Sequence, residues 1–144
     1  MTKKPKVIFS HPNAKKNGTR LIMSITPATE EKEGYLMLQL QKQASLLKWD
    51  EENESIINLS HIEIAKFIAV MRGYDESVND GKGIWHRIGE AYCGVCFRHT
   101  TDPISGYILT ITNEKGPVSI LLNTYEVISL CEVMQIALSH IVFG

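Results

Sequence analysis

Leu59-Ser-His-Ile-Glu-Ile-Ala-Lys-Phe-Ile-Ala-Val-Met-Arg-Gly73 is where the pattern of this chain changes period. Ser60 followed three residues later by Glu63 reads as a capping box: the serine hydroxyl accepts from an orphan backbone N–H and the glutamate reaches back to the cap. Ile64, Phe67, Ile68 and Met71 then share one helical face, and Gly73 stops the helix. Upstream, the period is two. Arg20, Ile22, Ser24 and Thr26 alternate with Leu21, Met23 and Ile25 until Pro27. After a polar turn at residues 30–34, Leu36, Leu38 and Leu40 alternate with Tyr35, Met37, Gln39 and Gln41 in the clearest strand of the sequence. Leu46 to Trp49 and Ile56 to Leu59 read as two more short strands about the acidic turn of residues 50–54. Four strands therefore precede the helix.

The same order returns beyond a Gly- and Asp-rich linker, Asp75 to Gly83. Residues 84–88, 92–99, 107–112 and 118–122 are the expected strands, with turns at residues 102–106 and 113–117. Asn123-Thr-Tyr-Glu126 is a second helix start, and Val127, Leu130, Cys131, Met134, Leu138 and Ile141 give an apolar stripe running to Phe143. A capped helix after four strands in both halves points to an internal duplication of pattern, with half-repeats at about 17–74 and 83–144. The expected class is α+β, in one domain over residues 17–144. At 144 residues and 44% hydrophobic content the chain suffices for one continuous core.

The net charge of −1 hides an asymmetry. Lys3, Lys4, Lys6, Lys15, Lys16 and Arg20 precede the first acidic residue, Glu30, and the rest of the chain is acidic on balance. Residues 1–16 are accordingly expected to be a basic, loose arm able to meet phosphates. No apolar run suggests a secretory signal or approaches a membrane span, so a soluble, cytoplasmic protein is expected. Three cysteines argue against a disulfide framework. Cys93-Gly-Val-Cys96 has half the ligands of a zinc site and lies in a strand, where positions three apart face opposite sides; no metal and no cofactor are expected. No nucleophile elbow, phosphate loop or dinucleotide fingerprint occurs, and the histidines are dispersed, which speaks against an enzyme.

Four stretches together resemble the Whirly family of single-stranded-DNA-binding proteins and, more distantly, the trypanosomal mitochondrial RNA-binding proteins. They are Asn17-Gly-Thr-Arg-Leu-Ile-Met-Ser-Ile-Thr-Pro-Ala, Glu33-Gly-Tyr-Leu-Met-Leu-Gln-Leu, Leu59-Ser-His-Ile-Glu-Ile-Ala and Leu138-Ser-His-Ile-Val-Phe-Gly144. Of the plant Lys-Gly-Lys-Ala-Ala-Leu motif, Lys16-Asn-Gly-Thr-Arg-Leu21 keeps a basic residue, the glycine and the leucine. The resemblance implies two roughly perpendicular four-stranded sheets per protomer, a helix after each, and a tetramer packed through its helices.

It also implies a single-stranded nucleic acid as partner, DNA first and RNA as the alternative, in replication, recombination, repair or transcription regulation. Such binding needs cations along the backbone and flat rings for the bases. On residue type and strand parity the candidates are Lys15, Lys16, Arg20, Tyr35, Met37, Gln39, Gln41, Lys48 and Trp49 in the first half, and Trp85, Arg87, Arg98 and Tyr107 in the second. A reading from a different class, an oligomeric protein-interaction module, stays open at this point.

Overall fold

The computed structural model describes residues 6–102 and 104–144. Two antiparallel sheets form. The first contains β1 (Lys6–His11), β2 (Thr19–Thr26), β3 (Tyr35–Ser45), β4 (Lys48–Trp49) and β5 (Ser55–Leu59), followed by helix α1 (His61–Met71). The second contains β6 (Ile84–Ile88), β7 (Ala91–Thr100), β8 (Gly106–Asn113) and β9 (Gly116–Leu122), followed by helix α2 (Thr124–Phe143). Strands β6 to β9 run in sequence order, whereas in the first sheet β3 lies between β2 and β5.

The second half and both helices match the sequence expectation closely; the first half needs correcting. Lys6–His11 is a strand and not part of a loose arm: it pairs with β2 in the register Val7↔Met23 and Phe9↔Leu21. Phe9 is buried in the core and Val7 packs against it. Two inward side chains between lysines were enough to make a strand. The rest of the expected arm, residues 1–5, lies outside the described residues, as does Pro103 of the expected turn at 102–106. Leu46 to Trp49 is not a full strand either, because β3 continues to Ser45 and folds back through an exposed Leu46–Leu47 turn into β4. The repeat thus starts at Lys6, with β1, β2, β3 and β5 answering to β6, β7, β8 and β9.

One apolar cluster joins everything. Leu21, Met23, Leu36, Leu38 and Leu40 from the first sheet meet Val95, Phe97, Leu109 and Ile111 from the second, with Phe67 and Met134 from the helices. The helices are exchanged between halves. Helix α1 lies on β7, where Phe67 stacks on Phe97 with centroids 5.0 Å apart. Helix α2 packs on β2 and β3 and also reaches β8 and β9. Its last turn is held by the β2–β3 loop, where Ala28 N donates to His140 O (3.0 Å) and Gly34 N to Ile141 O (3.3 Å). Gly34 sits so close that a Cβ would lie 2.4 Å from Thr26 O.

Both capping boxes form, and each has a further partner. Glu63 accepts the Ser60 backbone N–H through Oε1 (2.9 Å), and its Oε2 meets His86 Nε2 of β6 at 2.7 Å. Glu126 likewise accepts the Asn123 N–H (3.1 Å), and its Oε2 meets His11 Nε2 of β1 at 2.6 Å. A histidine from the first strand of each half therefore grips the helix start of the other. Burial pushes the Glu63 carboxyl up, but the Ser60 backbone bond and His86 outweigh it and hold the carboxyl below the usual glutamate range. A depressed folded value means stability that is present above the unfolded pKa, about 4.3, and lost as pH falls through the folded value. Glu63→Gln is expected to flatten the acid limb of a denaturation-midpoint-versus-pH curve. An acid limb unchanged from that of the unmodified protein would show that this carboxylate contributes nothing to it.

Helix α2 has a mean hydropathy of 1.5 over its best window, and by length and composition alone could cross a membrane. The sequence reading expected no such stretch. The property arises because α2 is apolar on two sides: Val127, Leu130, Met134, Ala137 and Ile141 enter the core, while Tyr125, Ile128, Ile136 and Phe143 are exposed.

Candidate functional site

Alternation along β6 and β7 sets the outer face of the second sheet. Ile84 and Val95 are paired and point inward, so Trp85 and its partner Gly94 point outward, as do the paired Arg87 and Tyr92. Trp85 lies over Gly94 so closely that a Cβ there would fall 2.4 Å from the indole ring. A cross-strand glycine gives an aromatic ring room to lie flat on a sheet. The indole Nε1 donates to Lys82 O at 2.8 Å, which fixes the ring, and Tyr92 leans against it with centroids 5.9 Å apart. Even so, Trp85 remains 53% exposed and Tyr92 45%.

Arg98 also points outward from β7, exposed like Arg87. Cys96 shares this side, and Cys93, opposite His86, faces the other, as strand alternation requires. Burial pushes the Cys93 thiol up. Among the described residues no three histidine, cysteine or acidic side chains are grouped as metal ligands would be.

Tyr107 is not part of this face. It pairs with His99 and Leu122 and stacks at 5.6 Å on Phe97, which belongs to the core. Arg98 and Tyr107 were expected to extend one surface, but Tyr107 stands two residues before the inward Leu109 and so shares its side. Tyr92 takes its place. Its position opposite Arg87 depends on the tight turn at Gly89, and only that register shows it.

The outer face of the first sheet carries Arg20, Ile22 and Ser24, with Tyr35, Met37, Gln39 and Gln41 opposite. These side chains are largely engaged with one another. Gln41 is 3% exposed, and its Oε1 accepts from Arg20 Nε at 2.7 Å. The expectation that Gln41 offers a free amide fails, because its neighbours cover it. Gln39 and Gln41 both donate to Glu54 Oε2, and Glu51 lies 3.7 Å from Arg20. Arg20 also sits 5.0 Å over the half-buried Trp49 ring, so that ring has one face covered. Tyr35, at the end of the sheet, is exposed. The acidic turn at residues 50–54 read as a mere connection in the sequence, yet it supplies Glu51 and Glu54 to this face.

Lys15 and Lys16 are exposed in the β1–β2 loop, and Lys48 is exposed in β4. That loop is tied to the far end of β3, where Gln43 Oε1 accepts from Asn13 N (3.0 Å) and Gly18 N (3.1 Å). The structure therefore groups the sequence candidates into two faces. One carries exposed rings and guanidinium groups, and the other a polar cluster largely engaged with itself, with lysines at its end.

Two antiparallel sheets that each continue into a capped helix form an α+β fold of the Whirly type. The Arabidopsis thaliana protein WHY1 superposes with a TM-score of 0.74 at 17% identity, covering 99% of this chain and 89% of that chain. A guide-RNA-binding protein complex bound to a gRNA gives a TM-score of 0.68 at 16% identity over 94% of this chain and 90% of that one. Trypanosomal MRP1/MRP2 gives 0.66 at 16% identity, with coverage of 95% and 85%. Identities of this order carry the fold. No family model matches the sequence, and no curated protein matches it.

Proposed function

We propose that this chain binds single-stranded nucleic acid on the outer face of its second sheet, with DNA as the first ligand and RNA as the alternative. The observation that carries the reading is Trp85, held flat by Gly94 and by its bond to Lys82, beside Tyr92 and Arg87, with Arg98 farther along the same face of β7. Rings fixed before binding stack on any base without an ordering cost, and guanidinium groups take the phosphates between them. Support comes also from the fold shared with a complex bound to a gRNA. The arrangement suits binding and not catalysis, since no nucleophile and base stand together on this face.

The exposed Tyr125, Ile128, Ile136 and Phe143 of α2 are the surface through which copies of the chain would associate, giving several platforms per particle. A solution mass four times the 16.2 kDa of the chain is the expected result by light scattering, and a monomer at micromolar concentration would refute it.

The binding itself is tested by fluorescence anisotropy with labelled strands of about thirty nucleotides, long enough to cross more than one site. Single-stranded DNA, its RNA counterpart and the duplex are compared at two salt concentrations. Tight binding of the single strand is expected, falling with a logarithmic slope of about −0.7 per phosphate neutralised. A salt-insensitive interaction would favour a protein ligand, and no binding at low salt would end the proposal.

A further inference from the structure

On the outer face of the first sheet lies an open hollow of about 310 Å³, apart from the Trp85 platform. Its lining is divided. Ile8 and Ile22, paired across β1 and β2, supply an apolar side, while Arg20, Gln39, Gln41 and Glu54 supply polar groups. A hollow with one apolar wall for the face of a ring and convergent polar groups for its edge suits a small heterocycle.

The hydrogen-bond inventory gives the chemistry of the occupant. The amide nitrogens of Gln39 and Gln41 both go to Glu54 Oε2, and Arg20 Nε goes to Gln41 Oε1. Two acceptors remain. Gln39 Oε1 is buried without a partner, and Glu54 Oε1 has none among the described residues. The unmet buried Gln39 Oε1 is disfavoured and Glu54 Oε1 is open to accept, so the matching ligand brings donors. A phosphate brings none and would meet the Glu51 and Glu54 carboxylates. A base edge does bring them. Guanine presents N1–H and the N2 amine side by side, one donor for each of the two open acceptors, Glu54 Oε1 and Gln39 Oε1. Adenine and cytosine each set one amine beside a ring acceptor. Thymine and uracil set one N–H between two carbonyls.

We propose that this hollow is a nucleobase pocket selective for guanine, with Glu54 as the group that reads the base. The proposal rests on the single-strand reading above and adds one position of base preference to a surface that otherwise stacks on any base. Lys6 and Arg20, which also line the hollow, lie where the adjoining phosphate would pass.

The test is competition anisotropy with thymidine oligonucleotides carrying isolated dG, inosine, dA or dC substitutions, spaced to prevent guanine assemblies. The dG-substituted strand is expected to bind about tenfold tighter than the plain one, in keeping with a good paired contact to one base. Inosine lacks only the N2 amine and is expected to lose most of that gain. In Glu54→Gln the dG-to-plain ratio is expected to fall to near one, with circular dichroism confirming the fold. Equal binding of plain and dG strands by the unmodified protein would overturn the pocket and leave single-strand binding standing. A ratio that survives in Glu54→Gln while all affinities rise would overturn it too, and would make Glu54 an electrostatic barrier. Failure to bind any strand would overturn both proposals together.

Discussion

Trp85→Ala is expected to weaken single-strand binding by about 1–3 kcal/mol, roughly 5- to 160-fold, which is the worth of one stacked base. The residue contributes little to the core, since its ring lies on the outer face and is 53% exposed, so the loss should appear without a large change in stability. Trp85→Phe keeps a ring and should recover much of the affinity. Gly94→Val offers an independent check that leaves the tryptophan in place. Its Cβ would fall 2.4 Å from the indole, so the ring must leave the sheet and surrender its fixed pose. Affinity should fall with it, and indole fluorescence should change, read most cleanly with Trp49 replaced by Phe. Unchanged affinity in both Trp85→Ala and Gly94→Val would move the interface away from this sheet.

Phe67→Ala is expected to destabilise the protein by about 3–5 kcal/mol, a large share of the 5–15 kcal/mol typical of a domain. Phe67 is fully buried, and its ring stacks on Phe97 at 5.0 Å, which in turn stacks on Tyr107. Removing it leaves a cavity between α1 and β7, one of the contacts that join the first half to the second. Urea denaturation gives the measurement. A shift of less than about 1 kcal/mol would mean that neighbouring side chains collapse into the space, and that the stack is less important than its position suggests.

The sequence made the second half easy to read because each of its strands is bounded by Gly, Pro or Asn-rich turns and its pattern is regular. Both helices were equally plain, since each capping box is a local signal. The first half was harder. Val7 and Phe9 are only two inward residues among lysines, and charge hid them; the long β3 masked the two-residue β4 beside it. For the site, strand parity put Trp85 and Arg87 on one face, as the structure has them, whereas Arg98 and Tyr107 were chosen by residue type without fixing the parity of Tyr107 against Leu109. Tyr92 and Glu54 were missed for a different reason. Tyr92 becomes a site residue only through its cross-strand partner Arg87, and Glu54 only because a turn folds back over β3. The first pairing spans a tight hairpin turn whose register is set at Gly89, and the second joins residues 13 and 15 apart, with no periodic pattern in the sequence to mark it.

The exchange of helices fixes when this protein can fold as it is made. The inner face of the sheet formed by residues 6–59 is covered jointly by the second sheet, β9 above all, and by α2, and β9 and α2 are the last described elements to be synthesised. Until then Leu21, Met23, Leu36 and Leu38 lack their full cover, and α1 waits for β7, still to be translated. His86 and His11 likewise close the two helix starts only across halves. The repeat is therefore a duplication in pattern without being two independent units. A growing chain that stops at the linker is one that chaperones would hold, and a nonsense mutation ahead of Thr124 removes far more than twenty residues of structure.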